Sequence, residues 1–85
     1  MKTGPGIVMY TSKTCPSCGQ AKKALNMNNL PYEEISVEGN QEMINWLAMT
    51  TGQKTVPQIF VNGNYIGSTP QMFNLMKTGE FSRFL

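Results

Sequence analysis

The only two cysteines of the 85-residue chain, Cys15 and Cys18, enclose Pro16 and Ser17 and lie at the predicted start of a helix. A cysteine at a helix start has a lowered thiol pKa, because amide N–H groups, here expected to be those of Ser17 and Cys18, and the helix dipole stabilise the thiolate. Two sulfurs at this spacing can also form a disulfide with each other. The pair therefore predicts thiol–disulfide exchange, in which Cys15 attacks a disulfide and Cys18 resolves the mixed disulfide that results.

Two other roles for these cysteines are weighed against exchange, a permanent disulfide and a metal site. A permanent disulfide would close so short a loop that it would remove little entropy from the unfolded chain. A tetrahedral zinc site needs four ligands, whereas the chain has two cysteines and no histidine. An iron–sulfur cluster shared across a dimer would need external thiols, and Pro16 makes the turn less suited to it.

Composition indicates a single domain over residues 1–85. The net charge is +2 and the basic residues are scattered, so no stripe for nucleic acid is expected. No stretch approaches the roughly 20 apolar residues of a membrane span, and the N-terminus lacks the apolar region of a secretory signal. A secreted chain this short usually carries more cysteines. We therefore expect a cytoplasmic protein.

Apolar periodicity and turn signals predict an α/β fold in the order β-α-β-α-β-β-α. After a lead-in over residues 1–6, the elements are strand Ile7–Tyr10, a helix from Pro16 to Asn28, strand Tyr32–Val37, a helix capped by Asn40 and ended by Gly52, strands Gln58–Val61 and Asn64–Ile66 joined by Asn62-Gly63, and a helix capped by Thr69 and ended by Gly79. The first β-α-β unit is expected to be parallel and the hairpin antiparallel. The result is a four-stranded mixed sheet flanked by three helices.

Several apolar side chains outside the strands have predicted packing roles. The methionines at 27, 43, 49, 72 and 76 fall largely at helical packing spacing and are expected to fill gaps in the core, and Trp46 is expected to be partly core. Phe81, Phe84 and Leu85 have two open roles, as a cap on the core or as a docking patch.

With this element order, the Cys15-Pro16-Ser17-Cys18 turn and a Thr55-Val56-Pro57 segment before the hairpin, the chain resembles the glutaredoxins of the thioredoxin-like fold. The resemblance covers about residues 7–76 and is most specific over residues 51–63 and at Gly67. It implies that Pro57 is cis and faces the cysteines, at a cost of about 0.5–1 kcal/mol over trans. It also implies that the backbone N–H and C=O of Val56 pair with a bound peptide such as glutathione.

The resemblance implies a substrate- and glutathione-binding set around the catalytic Cys15 and Cys18. This set comprises Tyr10, Lys13, Pro16, Ser17, Thr55, Val56, Pro57, Gly67, Ser68 and Thr69. For Tyr10 two roles stay open, lining of the cleft and packing at the strand end. Lys13 is expected to place a favourable charge near the thiolate.

The chain departs from the family pattern in three places. Ser17 follows the active-site proline where a tyrosine is common, and Ser12 occupies the position of the usual basic residue. The family's Gly-Gly-x-Asp-Asp segment, whose amides and aspartate hold the γ-glutamyl carboxylate of glutathione, is replaced by residues 67–71, Gly-Ser-Thr-Pro-Gln. This sequence at the start of the last helix is similar to that of glutaredoxin-like redoxins, which serve ribonucleotide reductase and accept electrons from thioredoxin reductase.

The predicted function is therefore that of a dithiol–disulfide oxidoreductase acting on protein disulfides, with ribonucleotide reductase among the expected partners, and on glutathione mixed disulfides. Glutathione is the expected co-substrate, with thioredoxin reductase as the other electron source, and no tightly bound cofactor is expected. The protein is expected to be a monomer that binds neither nucleic acid nor membranes. The alternative is a non-catalytic thioredoxin-fold binding module or an iron–sulfur cluster scaffold.

Overall fold

The computed structural model describes residues 6–13 and 15–84, so most of the predicted lead-in and Leu85 lie outside the described residues. The elements are β1 (Ile7–Thr11), α1 (Pro16–Met27), β2 (Tyr32–Ser36), α2 (Gln41–Thr51), β3 (Gln58–Val61), β4 (Asn64–Gly67), α3 (Thr69–Thr78) and a 3₁₀ helix (Glu80–Phe84). The predicted order is confirmed, and the 3₁₀ helix is added at its end.

The four strands form one mixed sheet in the order β2-β1-β3-β4. β1 is parallel to β2 and antiparallel to β3, and β3 is antiparallel to β4. The Asn62-Gly63 turn that joins β3 and β4 has positive φ at both residues, which favours Asn and Gly there. The predicted thioredoxin-like α/β architecture is confirmed.

The hydrophobic core lies between one face of the sheet and helices α1 and α3. Its buried members are Ile7, Met9, Ala21, Leu25, Ile59, Val61, Ile66, Met72 and Phe81. Phe84 packs against the same cluster, so of the two roles left open for the tail, Phe81 and Phe84 cap the core.

The other face of the sheet carries α2 and an aromatic cluster. The ring of Trp46 on α2 lies against Tyr10 of β1 and Phe60 of β3. Asn40 caps α2 as predicted, because its Oδ1 accepts a hydrogen bond of 3.0 Å from the Met43 N–H. Among the described residues no helix has the length and apolarity of a membrane span.

Two predicted packing roles for methionines are wrong. Met27 is 73% exposed and Met49 is 88% exposed. Met27 is the last residue of α1, and Met49 lies about 200° round the helix from the buried Leu47. Spacing alone did not show that these two positions face solvent. Trp46 is also half exposed.

The last helix begins at its predicted cap, Thr69, and so starts one residue earlier than predicted. Its N-cap is Ser68, which has an extended backbone, whereas Thr69 already belongs to the helix. The Gln71 Oε1 accepts hydrogen bonds from the Ser68 N–H at 3.0 Å and from the Ser68 hydroxyl at 2.8 Å. The Thr69 hydroxyl is bonded elsewhere, as described below.

Candidate active site

Cys15 and Cys18 are joined in a disulfide, with their Cα atoms 5.3 Å apart. Cys15 is the N-cap of α1, and Pro16 occupies the first helical position, where its missing N–H leaves no carbonyl unpaired. Cys15 is half-buried, whereas Cys18 is 2% exposed. The sulfur that a second molecule can reach is therefore that of Cys15.

Polar groups surround the Cys15 sulfur. The Cys18 N–H donates to Cys15 Sγ at 3.2 Å, and the Ser17 Oγ lies 3.6 Å from the same sulfur. Sequence reasoning expected the amides of Ser17 and Cys18; the structure provides the Cys18 amide and the Ser17 hydroxyl. Because both groups are hydrogen-bond donors at a helix start, they would stabilise a thiolate at Cys15 once the disulfide is reduced.

The loop before β3 brings Val56 to the disulfide. The Val56 carbonyl oxygen lies 3.5 Å from Cys15 Sγ, and a reduced Cys15 can donate its thiol hydrogen to it. The Val56–Pro57 bond is cis, as the family resemblance implies, and Pro57 is buried. The Val56 N–H has no hydrogen-bond partner in the described parts of the chain. This loop therefore offers a free backbone donor close to Cys15.

Gln58 holds that loop in place, a role that sequence reasoning missed. Its side chain is buried, and its Nε2 donates to the carbonyl oxygens of Gln53 at 2.7 Å and Thr55 at 2.9 Å. Its Oε1 lies 2.8 Å from the Thr51 hydroxyl. The available signal was a glutamine at the start of an otherwise apolar strand, because a buried amide needs hydrogen-bond partners.

The start of α3 packs against the cysteine turn. The Thr69 side chain is 3% exposed, and its hydroxyl donates to the Ser17 carbonyl oxygen at 3.0 Å. Gly67 has φ +114°, and a Cβ on it would lie 2.8 Å from the Gln71 Cβ and Cγ. Glycine is therefore required where β4 turns into α3.

A cavity of about 470 Å³ opens between the Val56 loop and the start of α3. Its lining residues are Thr51, Gln53, Thr55, Tyr65, Ile66, Gly67, Ser68 and Gln71. Thr55, Gly67 and Ser68 were predicted to bind substrate, whereas Gln53, Tyr65 and Gln71 were not. All lining side chains are uncharged, so hydrogen bonds rather than ion pairs would hold a ligand there.

A second cavity, of about 360 Å³, contains both cysteines in its wall. It is also lined by Lys13 and Lys22, so basic side chains share this space with the disulfide. Lys22 Nζ lies 3.1 Å from Glu34 Oε2. A hydrogen bond from the Thr11 hydroxyl, and then that from Lys22, hold the pKa of the Glu34 carboxyl below its usual value.

Tyr10 lies with the aromatic cluster under α2 and lines neither of these two cavities. Its ring centroid is 5.9 Å from that of Trp46 and 5.7 Å from that of Phe60. Burial, and next the nearby Glu33 carboxylate, raise the pKa of its phenol. Of the two roles left open for Tyr10, the structure shows packing at the strand end, and a contact with substrate stays a prediction.

Comparison with known proteins gives consistent matches. The glutaredoxin family model matches residues 7–66. Glutaredoxin 1 of Rickettsia prowazekii is 37% identical over 81 residues, which cover 93% of this chain and 85% of that protein. Glutaredoxin 3 of Escherichia coli is 32% identical over 79 residues, which cover 93% of this chain and 95% of that protein. The structure of buckwheat glutaredoxin in complex with glutathione shares the fold, with a TM-score of 0.88 at 24% identity over 94% of this chain and 76% of that one.

Proposed function

The chain belongs to the glutaredoxin family and is a thiol–disulfide oxidoreductase, and from this premise we propose that Cys15 and Cys18 reduce disulfides by a two-thiol mechanism. The observation that carries the proposal is the asymmetry of the pair. Cys15 is half-buried at the helix start, beside the Cys18 N–H, whereas Cys18 is buried in the first turn. The Cys15 sulfur can therefore meet a substrate disulfide, whereas the buried Cys18 sulfur can meet only the sulfur of Cys15.

The reaction proceeds in two balanced steps. The Cys15 thiolate attacks one sulfur of a substrate disulfide, a mixed disulfide forms, and the second substrate sulfur leaves as a thiolate that takes up a proton. The Cys18 thiol then loses its proton and attacks Cys15 Sγ. The substrate sulfur that was bonded to Cys15 is released and takes up a proton, and the Cys15–Cys18 disulfide is left. Two electrons pass from the cysteine pair to the substrate.

The free Val56 N–H and the 470 Å³ cavity support a peptide-binding role next to Cys15. An extended peptide with a disulfide at Cys15 would pair with Val56 as an added strand does. Within the proposal, Pro16, Ser17 and Pro57 contact the reacting sulfurs, Lys13 provides a nearby positive charge, and Thr55, Gly67, Ser68 and Thr69 bind the rest of the substrate. Glutathione is the proposed co-substrate, supported by the buckwheat glutaredoxin solved with it.

The electron source and the protein partner are the finer parts of the proposal. The Ser68 N–H and hydroxyl already donate to Gln71 Oε1, so a glutathione carboxylate would have to displace this side chain to use them. Thioredoxin reductase is therefore kept as the second proposed electron source. Protein disulfides, including that of ribonucleotide reductase, are the proposed substrates of a monomer in the reducing cytoplasm, and no tightly bound cofactor is proposed.

Single substitutions of the cysteines test the mechanism. Cys15→Ser should abolish reduction of insulin and of a glutathione mixed disulfide, because no attacking thiolate remains. Cys18→Ser should lose insulin reduction but retain a mixed disulfide at Cys15, visible by mass spectrometry of the intact protein. Turnover by Cys15→Ser, or the lack of an adduct on Cys18→Ser, would contradict the assigned roles. A visible absorbance of the purified protein would instead favour the cluster scaffold.

A side-by-side assay tests the electron source. The oxidised protein is incubated with glutathione plus glutathione reductase, and separately with thioredoxin reductase, and NADPH consumption is followed in both. The Gln71→Ala variant frees the Ser68 donors and should lower the Michaelis constant for glutathione, without changing the rate with thioredoxin reductase. An unchanged Michaelis constant would show that Gln71 does not compete with glutathione.

A further inference from the structure

A row of four aromatic side chains lies on the α2 face of the sheet, on the opposite side from the core. Its members are Trp46, Tyr10, Phe60 and Tyr65. Neighbouring ring centroids are between 5.2 and 6.2 Å apart. Trp46, at one end of the row, is 47% exposed, and Tyr65, at the other end, is 37% exposed. The four rings form one continuous aromatic patch that reaches solvent, and such a patch is typical of a contact surface.

Beside Trp46 the surface forms a groove of about 440 Å³, which is lined by Tyr10, Asn40, Glu42, Met43 and Trp46. The floor is aromatic and apolar, and the only charged side chain in the lining is Glu42. This acidic aromatic groove, defined by these five residues, is separate from the two cavities at the cysteine turn and the start of α3.

A second carboxylate belongs to the same face. Glu33 on β2 pairs in register with Val8 on β1. Val8 and Tyr10 are two positions apart on the same strand, so Glu33 and Tyr10 share a face of the sheet. Glu33 is also close enough to raise the pKa of Tyr10. Within the described ranges neither Glu33 nor Glu42 has a basic partner, because the only ion pair there joins Lys22 to Glu34 on the other face. The groove and the sheet face beside it therefore carry two carboxylates without an ion pair among the described residues, on a chain whose net charge is +2.

The groove lies at the end of the sheet that carries the cysteines, because Tyr10 pairs with Gln58, the residue after Pro57. The next residue of β1, Thr11, faces the other side of the sheet and lines the cavity that contains Cys15 and Cys18. A partner whose disulfide lies at Cys15 could thus reach the groove along the same end of the sheet.

We propose that the acidic aromatic groove docks a segment of a partner protein that presents an arginine or lysine beside an apolar residue. An aromatic ring face attracts a cation, most strongly for tryptophan, and the Glu42 and Glu33 carboxylates complement the same charge. The apolar neighbour packs on Met43 and Tyr10. An acidic segment is repelled, so the surface selects among partners by charge. Only the further step, that the docked protein is a substrate of Cys15, rests on the function proposed above.

The test measures binding apart from redox turnover. Trp46 is the only tryptophan of the chain, so its fluorescence reports directly on the groove. The oxidised full chain is titrated with an acetylated, amidated peptide of sequence Ser-Leu-Arg-Leu-Arg-Gly, and with the same peptide carrying citrulline, the neutral isostere, in place of arginine. We expect the arginine peptide to bind about tenfold more tightly, with affinity that falls as salt rises.

Substitutions separate groove binding from general charge. Glu42→Gln and Glu33→Gln should each weaken binding of the arginine peptide, whereas Glu80→Gln, which removes the same charge from the 3₁₀ helix, should not. Calorimetry with Trp46→Leu, which lacks the fluorophore, should show binding weakened by about tenfold. Reduction of a small uncharged disulfide should be unchanged in all of these variants, so a failure of docking is distinguishable from a failure of the redox mechanism.

Equal affinity for the arginine and citrulline peptides, absence of binding, or equal loss in Glu80→Gln would overturn the proposal. Sedimentation that shows a dimer abolished by Glu42→Gln would also overturn it, because the occupant would then be a second copy of the chain.

Discussion

The Thr69 hydroxyl donates a hydrogen bond of 3.0 Å to the carbonyl oxygen of Ser17, between residues that are 52 positions apart in the chain. The bond joins the first residue of α3 to the turn that carries both cysteines. Because the Ser17 carbonyl belongs to the first turn of α1, the bond limits how far this turn can move. The sulfur–amide geometry at Cys15 thus depends on a residue from the other end of the protein.

Replacing Thr69 with valine should therefore loosen the cysteine turn. The change keeps the shape of the buried side chain but removes the Thr69 donor from the Ser17 carbonyl, which costs about 1–2 kcal/mol of unfolding free energy. Urea denaturation of the oxidised proteins measures this loss. In the reduced protein, the pH at which the rate of Cys15 alkylation by iodoacetamide reaches half its maximum should rise. The reason is that the hydrogen bond from the Cys18 N–H to a more mobile Cys15 sulfur is weaker. Thr69→Ser restores the donor and should restore both values; equal behaviour of valine and wild type would contradict the role.

The Gln58 amide should matter for substrate binding more than for thiol reactivity. Gln58→Leu has a similar volume but removes the hydrogen bonds to Gln53 and Thr55, so about 2 kcal/mol of unfolding free energy should be lost. The Val56 loop would be less ordered, and the Michaelis constant for a peptide disulfide should rise while Cys15 alkylation stays near wild type. The exposed Gln41→Leu is the control, expected within about 0.5 kcal/mol of wild type. A Gln58→Leu variant with an unchanged Michaelis constant would show that the loop is held by other contacts.

Gly67 and Gly52 allow steric crowding to be separated from backbone strain. Both have positive φ, +114° and +78°, but only a Cβ at residue 67 meets neighbouring atoms, at 2.8 Å from Gln71. Gly52→Ala should cost about 1 kcal/mol from conformation alone. Gly67→Ala should cost more, by about 1–3 kcal/mol, and should also displace Gln71 from Ser68. Thermal or urea unfolding compares the two; equal losses would mean that Gln71 moves aside at no cost.

The Glu34 carboxylate should make the protein less stable in acid. Its folded pKa lies below the ordinary value, chiefly because of the Thr11 hydroxyl and then Lys22. A carboxyl with a lowered folded pKa stabilises the fold fully above its unfolded pKa, near 4.5, and the stabilisation is lost as pH falls through the lower folded pKa. Because the side chain is 37% exposed, the contribution should stay under about 1 kcal/mol.

Urea unfolding between pH about 6 and 3 measures this dependence. Glu34→Gln keeps an acceptor for Thr11 but removes the titrating group, so its stability should fall less steeply with acid. Lys22→Met should show an intermediate slope, because the Thr11 bond remains. A Glu34→Gln profile parallel to wild type would assign the acid sensitivity to other carboxylates.

Local signals were sufficient for most of the fold. Asn40 caps α2, Pro16 begins α1 and Asn62-Gly63 turns the hairpin, because each of these residue types satisfies a need of the backbone next to it. The cysteine pair and the Val56 loop were also predicted as the parts of one site. In each of these cases the deciding physics acts within a few residues, or is carried by a motif with a known family.

Sequence reasoning failed, or made no prediction, where the role of a residue is decided by how separate elements or loops are arranged. Ser68 and Thr69 are both good caps, and the Thr69 hydroxyl is instead used by Ser17 on another helix. Gln58 has its partners only three to seven residues away, but they depend on the conformation of the loop before β3, which sequence reasoning did not predict. Met49 has the spacing of a packing residue, but within residues 6–13 and 15–84 no element covers that side of α2 closely enough to bury it. These capping, hydrogen-bonding and burial roles depend on how whole elements are arranged, and the periodicity of the sequence does not specify that arrangement.

β1 connects the cysteine turn with the acidic aromatic groove. It pairs with β2 on one side and β3 on the other, it runs directly into the cysteine turn, and its Tyr10 forms the floor of the acidic aromatic groove. Because one strand adjoins both, the fold sets the separation between the reacting sulfur and the proposed docking surface. Under the docking proposal, the partners are proteins whose basic segment and disulfide are spaced to match this separation.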